Sequence, residues 1–117
     1  MFVTSLIWYM SSAVKVVQPK GILDGTQAGD FRQEVTDLVK SGADIILIDF
    51  KDVTFMDSSG LGALVLALKT VRADGRKMYI CSVNEQIKML FDLTSMDKVF
   101  DIFPTREDFE SEVLSTT

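Results

Sequence analysis

Residues 55–68 read FMDSSGLGALVLAL, with an acid, two hydroxyls and two glycines set into the front of a long apolar run. Asp57, Ser58 and Ser59 are residue types that can cap a helix, attack a carbonyl or receive a phosphoryl group. Attack needs a base, and the chain contains no histidine. That removes every Ser–His–Asp arrangement, together with the commonest general base and the commonest metal ligand. DSSG does not fit the G-x-S-x-G frame of a nucleophile elbow. Lys51, the nearest lysine for a Ser–Lys pair, falls on a loop. Gly60-x-Gly62 lacks the third glycine of a dinucleotide fingerprint, and no G-x-x-x-x-G-K-[ST] run occurs. A phospho-aspartate receiver would need clustered acids after its first strand and a lysine after its last, and neither is present. No catalytic residue, metal or cofactor is therefore expected.

What remains is capping and modification. As N-cap, Asp57 would accept first-turn N–H groups, a contribution of about 1 kcal/mol over alanine. Ser58 and Ser59 would then occupy the first helical positions, at the positive end of the macrodipole. Capping leaves Gly60 and Gly62 unexplained, since each costs about 0.8–1.0 kcal/mol relative to alanine inside a helix. At about 100° per residue, Leu61, Leu64, Val65, Leu68 and Val71 gather into a core stripe. Ser59, Gly62, Ala63, Leu66, Thr70 and Ala73 lie opposite. A water-facing side would carry Lys and Glu, yet Lys69, Arg72, Arg76 and Lys77 come only toward the far end. A flat face of small residues with Leu66 as an apolar anchor reads as a docking surface. A second layer of the same domain covering that face is the competing reading. A phosphate on Ser58 would add roughly −1.5 to −2 charges at pH 7. A helix start tolerates an anion, so the fold would persist while a partner fitted to the neutral face is repelled.

These residues must be positioned by the elements around them. At 117 residues, 47% apolar and 25% charged, the chain fits one globular domain. A net charge of −5 without a basic block disfavours nucleic acid as a partner. The single cysteine, Cys81, lies in the apolar run MYICSV, where a buried inert thiol in a reducing cytoplasm is expected. MFVTSLIWYM is too short for a membrane span and has no basic n-region, so residues 1–12 read as an edge strand or an extension ahead of Met10.

AVKVVQ (13–18) reads as a strand, with residues 3–9 as its hairpin partner across Ser11–Ser12. GILDGTQAGDF reads as a loop, followed by a helix from Gln27 to Lys40 that Gly42 ends. DIILIDF (44–50) and KMYICSV (77–83) are continuous apolar strands covered on both faces. KDVTFMD reads as the loop between the first of these and a helix over Ser58–Ala73, closed by Asp74–Gly75. Asn84 caps a helix to Leu93, whose inner face is Ile87, Leu90 and Phe91. Val99–Phe103 is a short strand, and Thr105 caps a last helix. This alternation predicts an α/β sandwich with about five strands, mixed but mostly parallel and antiparallel at the N-terminal edge, and about four helices. In such folds sites lie beyond the carboxyl ends of the strands, where Asp57–Gly60 falls.

The run DFKDVTFMDSSGLGALVLALKTVRADGRKMYICSVNEQIKMLFDLTSMDKVFDIF, with VKVVQPKGILDG before it, resembles the STAS domains of bacterial anti-sigma factor antagonists. The likeness spans residues 13–109, the family core, and MDSSGLG is its most diagnostic piece. The resemblance implies a single STAS-like domain in a phosphoprotein that is not an enzyme. It marks Ser58 as the phosphorylated residue, an ATP-binding anti-sigma factor as the serine kinase, and a PP2C-type phosphatase as the eraser. The unphosphorylated protein would bind the anti-sigma factor and free a sigma factor, switching transcription by exchange of partners. It also puts the loop residue Asp24 at the kinase contact beside Ser58. The partner-binding set is then Asp24, Asp57, Ser58, Ser59, Gly60, Gly62, Ala63 and Leu66, on a cytoplasmic monomer that binds neither membrane nor nucleic acid. A STAS module serving a two-component or metabolic regulator, or one that binds a nucleotide weakly, is the alternative.

Overall fold

The computed structural model describes residues 14–114. Its main sheet has four strands in the order β1 (Val14–Val17), β3 (Ile45–Asp49), β5 (Lys77–Cys81) and β6 (Asp101–Phe103). Every neighbouring pair is parallel, with Val14 opposite Ile45, Ile45 opposite Lys77 and Tyr79 opposite Asp101. A separate two-stranded parallel ribbon joins β2 (Gly21–Leu23) to β4 (Val53–Met56). The proposed pairing of residues 3–9 as an antiparallel edge lies outside the described residues.

Alternation of side chains across a strand sends IILID to two different interiors. Ile46 and Ile48, with Ile80 and Met78, enter the larger core. There they meet α1 (Gly25–Lys40) through Phe31, Val35 and Val39, and α2 (Ser58–Ala73) through Leu61, Leu64, Leu68 and Val71. Ile87 and Phe91 of α3 (Glu85–Thr94) complete that layer. Ile45, Leu47 and Cys81 face the other way, onto Phe109 of α4 (Arg106–Phe109), which continues as a π-helical turn over Glu110–Leu114. Tyr79, Phe103 and Phe109 pack ring against ring there, with centroids 5.4 to 5.9 Å apart. That spacing suits edge-to-face aromatic contact.

Gly42 and Gly75 take φ of +96° and +73° just past α1 and α2, the left-handed conformation that ends a helix cheaply only in glycine. Asn84 and Thr105 cap α3 and α4 as expected, accepting from the N–H groups of Ile87 and Asp108.

Two segments expected as loops are ordered. Within GILDGTQAGDF, Gly21–Leu23 is β2 and α1 begins at Gly25, capped by Asp24. Within KDVTFMD, Val53–Met56 is β4. The strand expected over Val99–Phe103 is shorter, because Met96–Lys98 form a 3-10 turn and pairing starts at Asp101. No helix among the described residues is long and apolar enough to cross a membrane.

Candidate functional site at paired helix starts

β2 and β4 each end by launching a helix. Leu23 is opposite Met56 in the ribbon's register, so the next residues, Asp24 and Asp57, are the side-by-side N-caps of α1 and α2. The Asp57 N–H donates to the Leu23 carbonyl at 3.4 Å, tying the two turns together. A β-carbon on Gly25 would lie 3.7 Å from the Ser59 side chain. Two positive helix ends thus share one corner of the molecule.

Each carboxylate is already committed. Asp57 accepts from the Gly60 N–H at 2.9 Å. Asp24 accepts from the Thr26 N–H at 2.9 Å and the Thr26 hydroxyl at 2.6 Å. The Thr26 hydroxyl and N–H hold the Asp24 carboxyl below the usual carboxylate range, since bonds to the charged form favour it. Ser58 and Ser59 follow Asp57 as the first residues of α2, and both are exposed.

The α2 surface differs in part from the sequence reading. Ser59, Gly62, Leu66 and Ala73 are exposed, and Leu66 is 42% open. Gly60 and Ala63 are buried and offer a partner no surface, which corrects their place in the docking set. A β-carbon on Gly60 would collide with the Leu23 carbonyl oxygen and come within 2.8 Å of Met56 Cγ. Gly60 is therefore glycine because β2 crosses it. Ala63 belongs to the same buried cluster as Phe31 and Val35 of α1. A wheel that grouped small residues as one free face therefore merged buried positions with exposed ones.

What braces this corner is a pair of polar side chains at the start of α3. The Gln86 side chain of α3 donates to the Met56 carbonyl at 2.8 Å and accepts from its N–H at 2.9 Å, as a neighbouring strand would. The Asn84 amide donates to the carbonyls of Val53 and Thr54, both at 3.2 Å, while its oxygen caps α3. Through these bonds α3 fixes β4, and β4 fixes Asp57 and Ser58. Nothing in the spacing of Asn84 and Gln86 distinguishes this bracing from ordinary first-turn polarity.

A phosphoryl group on Ser58 would sit at the helix start with the Asp57 carboxylate already at the same end. The helix dipole favours it and the carboxylate opposes it. No group of His, Cys, Asp and Glu among the described residues could hold a metal ion.

The profile of the STAS domain matches residues 9–109. An anti-sigma-B factor antagonist from Bacillus subtilis is 35% identical over 82 residues, covering 70% of this chain and 74% of its own. The crystal structure of an anti-sigma factor antagonist from Mycobacterium paratuberculosis aligns with a TM-score of 0.77 at 25% identity, covering 86% of both chains. A Bacillus cell fate determinant, solved in its phosphorylated form, aligns at 0.66 with 18% identity over 86% of this chain and 91% of its own. At that identity the last match shows the fold alone.

Proposed function

The chain belongs to the STAS domain family of anti-sigma factor antagonists, and from that premise we propose that Ser58 is the switch of a phosphorylation-controlled binding module. In its unmodified form the protein binds an ATP-dependent anti-sigma factor kinase and so releases a sigma factor. The kinase phosphorylates Ser58, the complex parts, and a PP2C-type phosphatase resets it. The observation that carries this reading is the exposed Ser58 at the first position of α2, directly after a carboxylate that caps the same helix.

The physics of release is local. Ser58 lies beside Ser59, Gly62 and Leu66, a stretch of exposed α2 without charge before Lys69. A partner seated there desolvates a neutral surface when Ser58 is free. It would have to desolvate a dianion when Ser58 is modified, and unpaired buried charge is costly. Asp24, on the neighbouring helix start, completes the contact as a second carboxylate for a basic group on the kinase.

Incubation with the kinase and ATP is expected to add one phosphate, located at Ser58 by mass spectrometry. Labelling that persists in Ser58→Ala would overturn the assignment. Ser58→Asp is expected to keep the wild-type circular dichroism and melting curve while losing at least tenfold in partner affinity. Unchanged affinity in that variant would rule out the switch.

A further inference from the structure

The ribbon that carries the switch leaves an apolar pair uncovered. Ile22 and Phe55 stand opposite each other in the register of β2 and β4, 52% and 45% exposed. Their strand neighbours Leu23 and Met56 are buried, as the alternation of a strand requires. Two residues beyond the pair, the strands become the N-caps Asp24 and Asp57. The apolar pair is therefore continuous with the corner that holds Ser58. Beside it, a groove of about 120 Å³ opens between β2 and α1, with Ile22, Leu23 and Phe31 in its wall and Asp30 and Glu34 at its rim.

Charge decides what can sit there. Asp24 and Asp57 cap the helices at the end of the two strands, and Asp30 and Glu34 line the groove beside Ile22, against the single cation of Lys20 in that groove. A second copy of this chain would bring the same carboxylates face to face and carries a net charge of −5 of its own, and like charges across an interface are costly. A protein face with an apolar centre and a rim of Lys and Arg meets no such opposition. Large apolar side chains at the middle of a contact, ringed by polar groups, commonly dominate its affinity.

We propose that Ile22 and Phe55 are the apolar anchor on which the basic-rimmed kinase partner seats itself, next to Ser58 but independent of its modification. The inference rests on the reading of Ser58 above and deepens it. The anchor supplies standing affinity, and phosphorylation overrides it from one side. Neither side chain belongs to either buried cluster, so replacing them tests binding with the melting temperature as the control for folding.

The experiment uses the full chain, its Ile22→Ser, Phe55→Ser, double and Ser58→Asp variants, and the purified anti-sigma factor kinase of the same genome that phosphorylates Ser58. Calorimetry gives affinity, steady-state phosphorylation gives kcat and KM, and melting and sedimentation report fold and association. The expected result is a loss of affinity of tenfold or more in the double variant, with KM raised, kcat kept and the melting temperature near wild type. Ile22→Ser alone shows a smaller loss in the same direction. A double variant that folds, binds and is phosphorylated as wild type overturns the anchor, and a retained effect of Ser58→Asp then leaves the switch standing. A wild-type dimer that Phe55→Ser dissociates also overturns it, by making the pair a self-contact. If no kinase modifies Ser58, the functional reading and this inference fail together.

Discussion

Gly60 and Gly62 are two positions apart on one helix and have opposite reasons to be glycine. At Gly60 the Leu23 carbonyl oxygen occupies the place of a β-carbon, and backbone cannot swing aside as a side-chain tip can. Gly60→Ala is therefore expected to destabilise by about 1–3 kcal/mol, the cost of overpacking a fitted contact. At Gly62 nothing lies within 4 Å of the added carbon. Gly62→Ala is expected to stabilise by up to about 1 kcal/mol through helix propensity alone. Urea unfolding of the two variants, with unchanged m values, reads the difference in sign directly. A destabilised Gly62→Ala would mean that the α2 surface is covered. Asp57 belongs to the same comparison. Asp57→Ala removes the acceptor of the Gly60 N–H and is expected to cost about 1 kcal/mol.

α4 is a short element, and its attachment depends on one charge pair as well as on Phe109. Asp49, at the end of β3, is 2% exposed, and its carboxylate accepts from the Lys51 N–H at 2.9 Å. Arg106, the first residue of α4, holds its Nε 3.6 Å from the other carboxylate oxygen, an ion pair too long to be a hydrogen bond. Removing the arginine leaves a buried carboxylate without a counter-charge, which in fully buried pairs costs 3–5 kcal/mol. The Arg106 side chain is 38% exposed, so water screens part of the loss, and roughly 2 kcal/mol is expected for Arg106→Ala. Adding Asp49→Asn to that variant is expected to recover most of it, and a double variant no more stable than the single one would show that the ion pair does not hold α4. Such long-range pairs are what a linear reading misses. DIILIDF and KMYICSV announce buried strands through unbroken apolar runs, and the helices through spacing, caps and terminal glycines. β2 and β4 do not announce themselves, because three- and four-residue strands with exposed Ile22, Thr54 and Phe55 look like loops. Asp57 and Ser58 were legible because N-capping is a local event. The burial of Gly60 and Ala63 was not, because it depends on a strand and a helix more than twenty residues upstream.

At the scale of the whole molecule, the titratable groups divide the pH axis into a plateau with two limbs. The chain has no histidine, so apart from the terminal amine no group ordinarily titrates between about pH 5 and 8. On the acid side, hydrogen bonds from Thr26 hold Asp24 below its ordinary value of 3.8. A depressed carboxyl contributes stability that is present above 3.8 and disappears as pH falls through the lower folded value. On the alkaline side, burial pushes the Cys81 thiol up from 9.0 to about 11, with the Asp49 charge adding to the shift. A raised acid contributes stability that is complete below 9.0 and is lost as pH climbs through about 11. Unfolding free energy is therefore expected to be flat between about pH 6 and 8 and to decline above 9.0. Cys81→Ala is expected to remove part of the alkaline decline without steepening the acid limb. The same burial makes the thiol slow to alkylate in the native protein, and modification at pH 8 should follow global unfolding as urea is added. Rapid labelling in the absence of urea would mean that α4 opens from the sheet by itself, because α4 is the element that covers Cys81. Alkylation rates in Arg106→Ala then separate the two routes: loosening α4 accelerates labelling far more than the loss of global stability alone predicts.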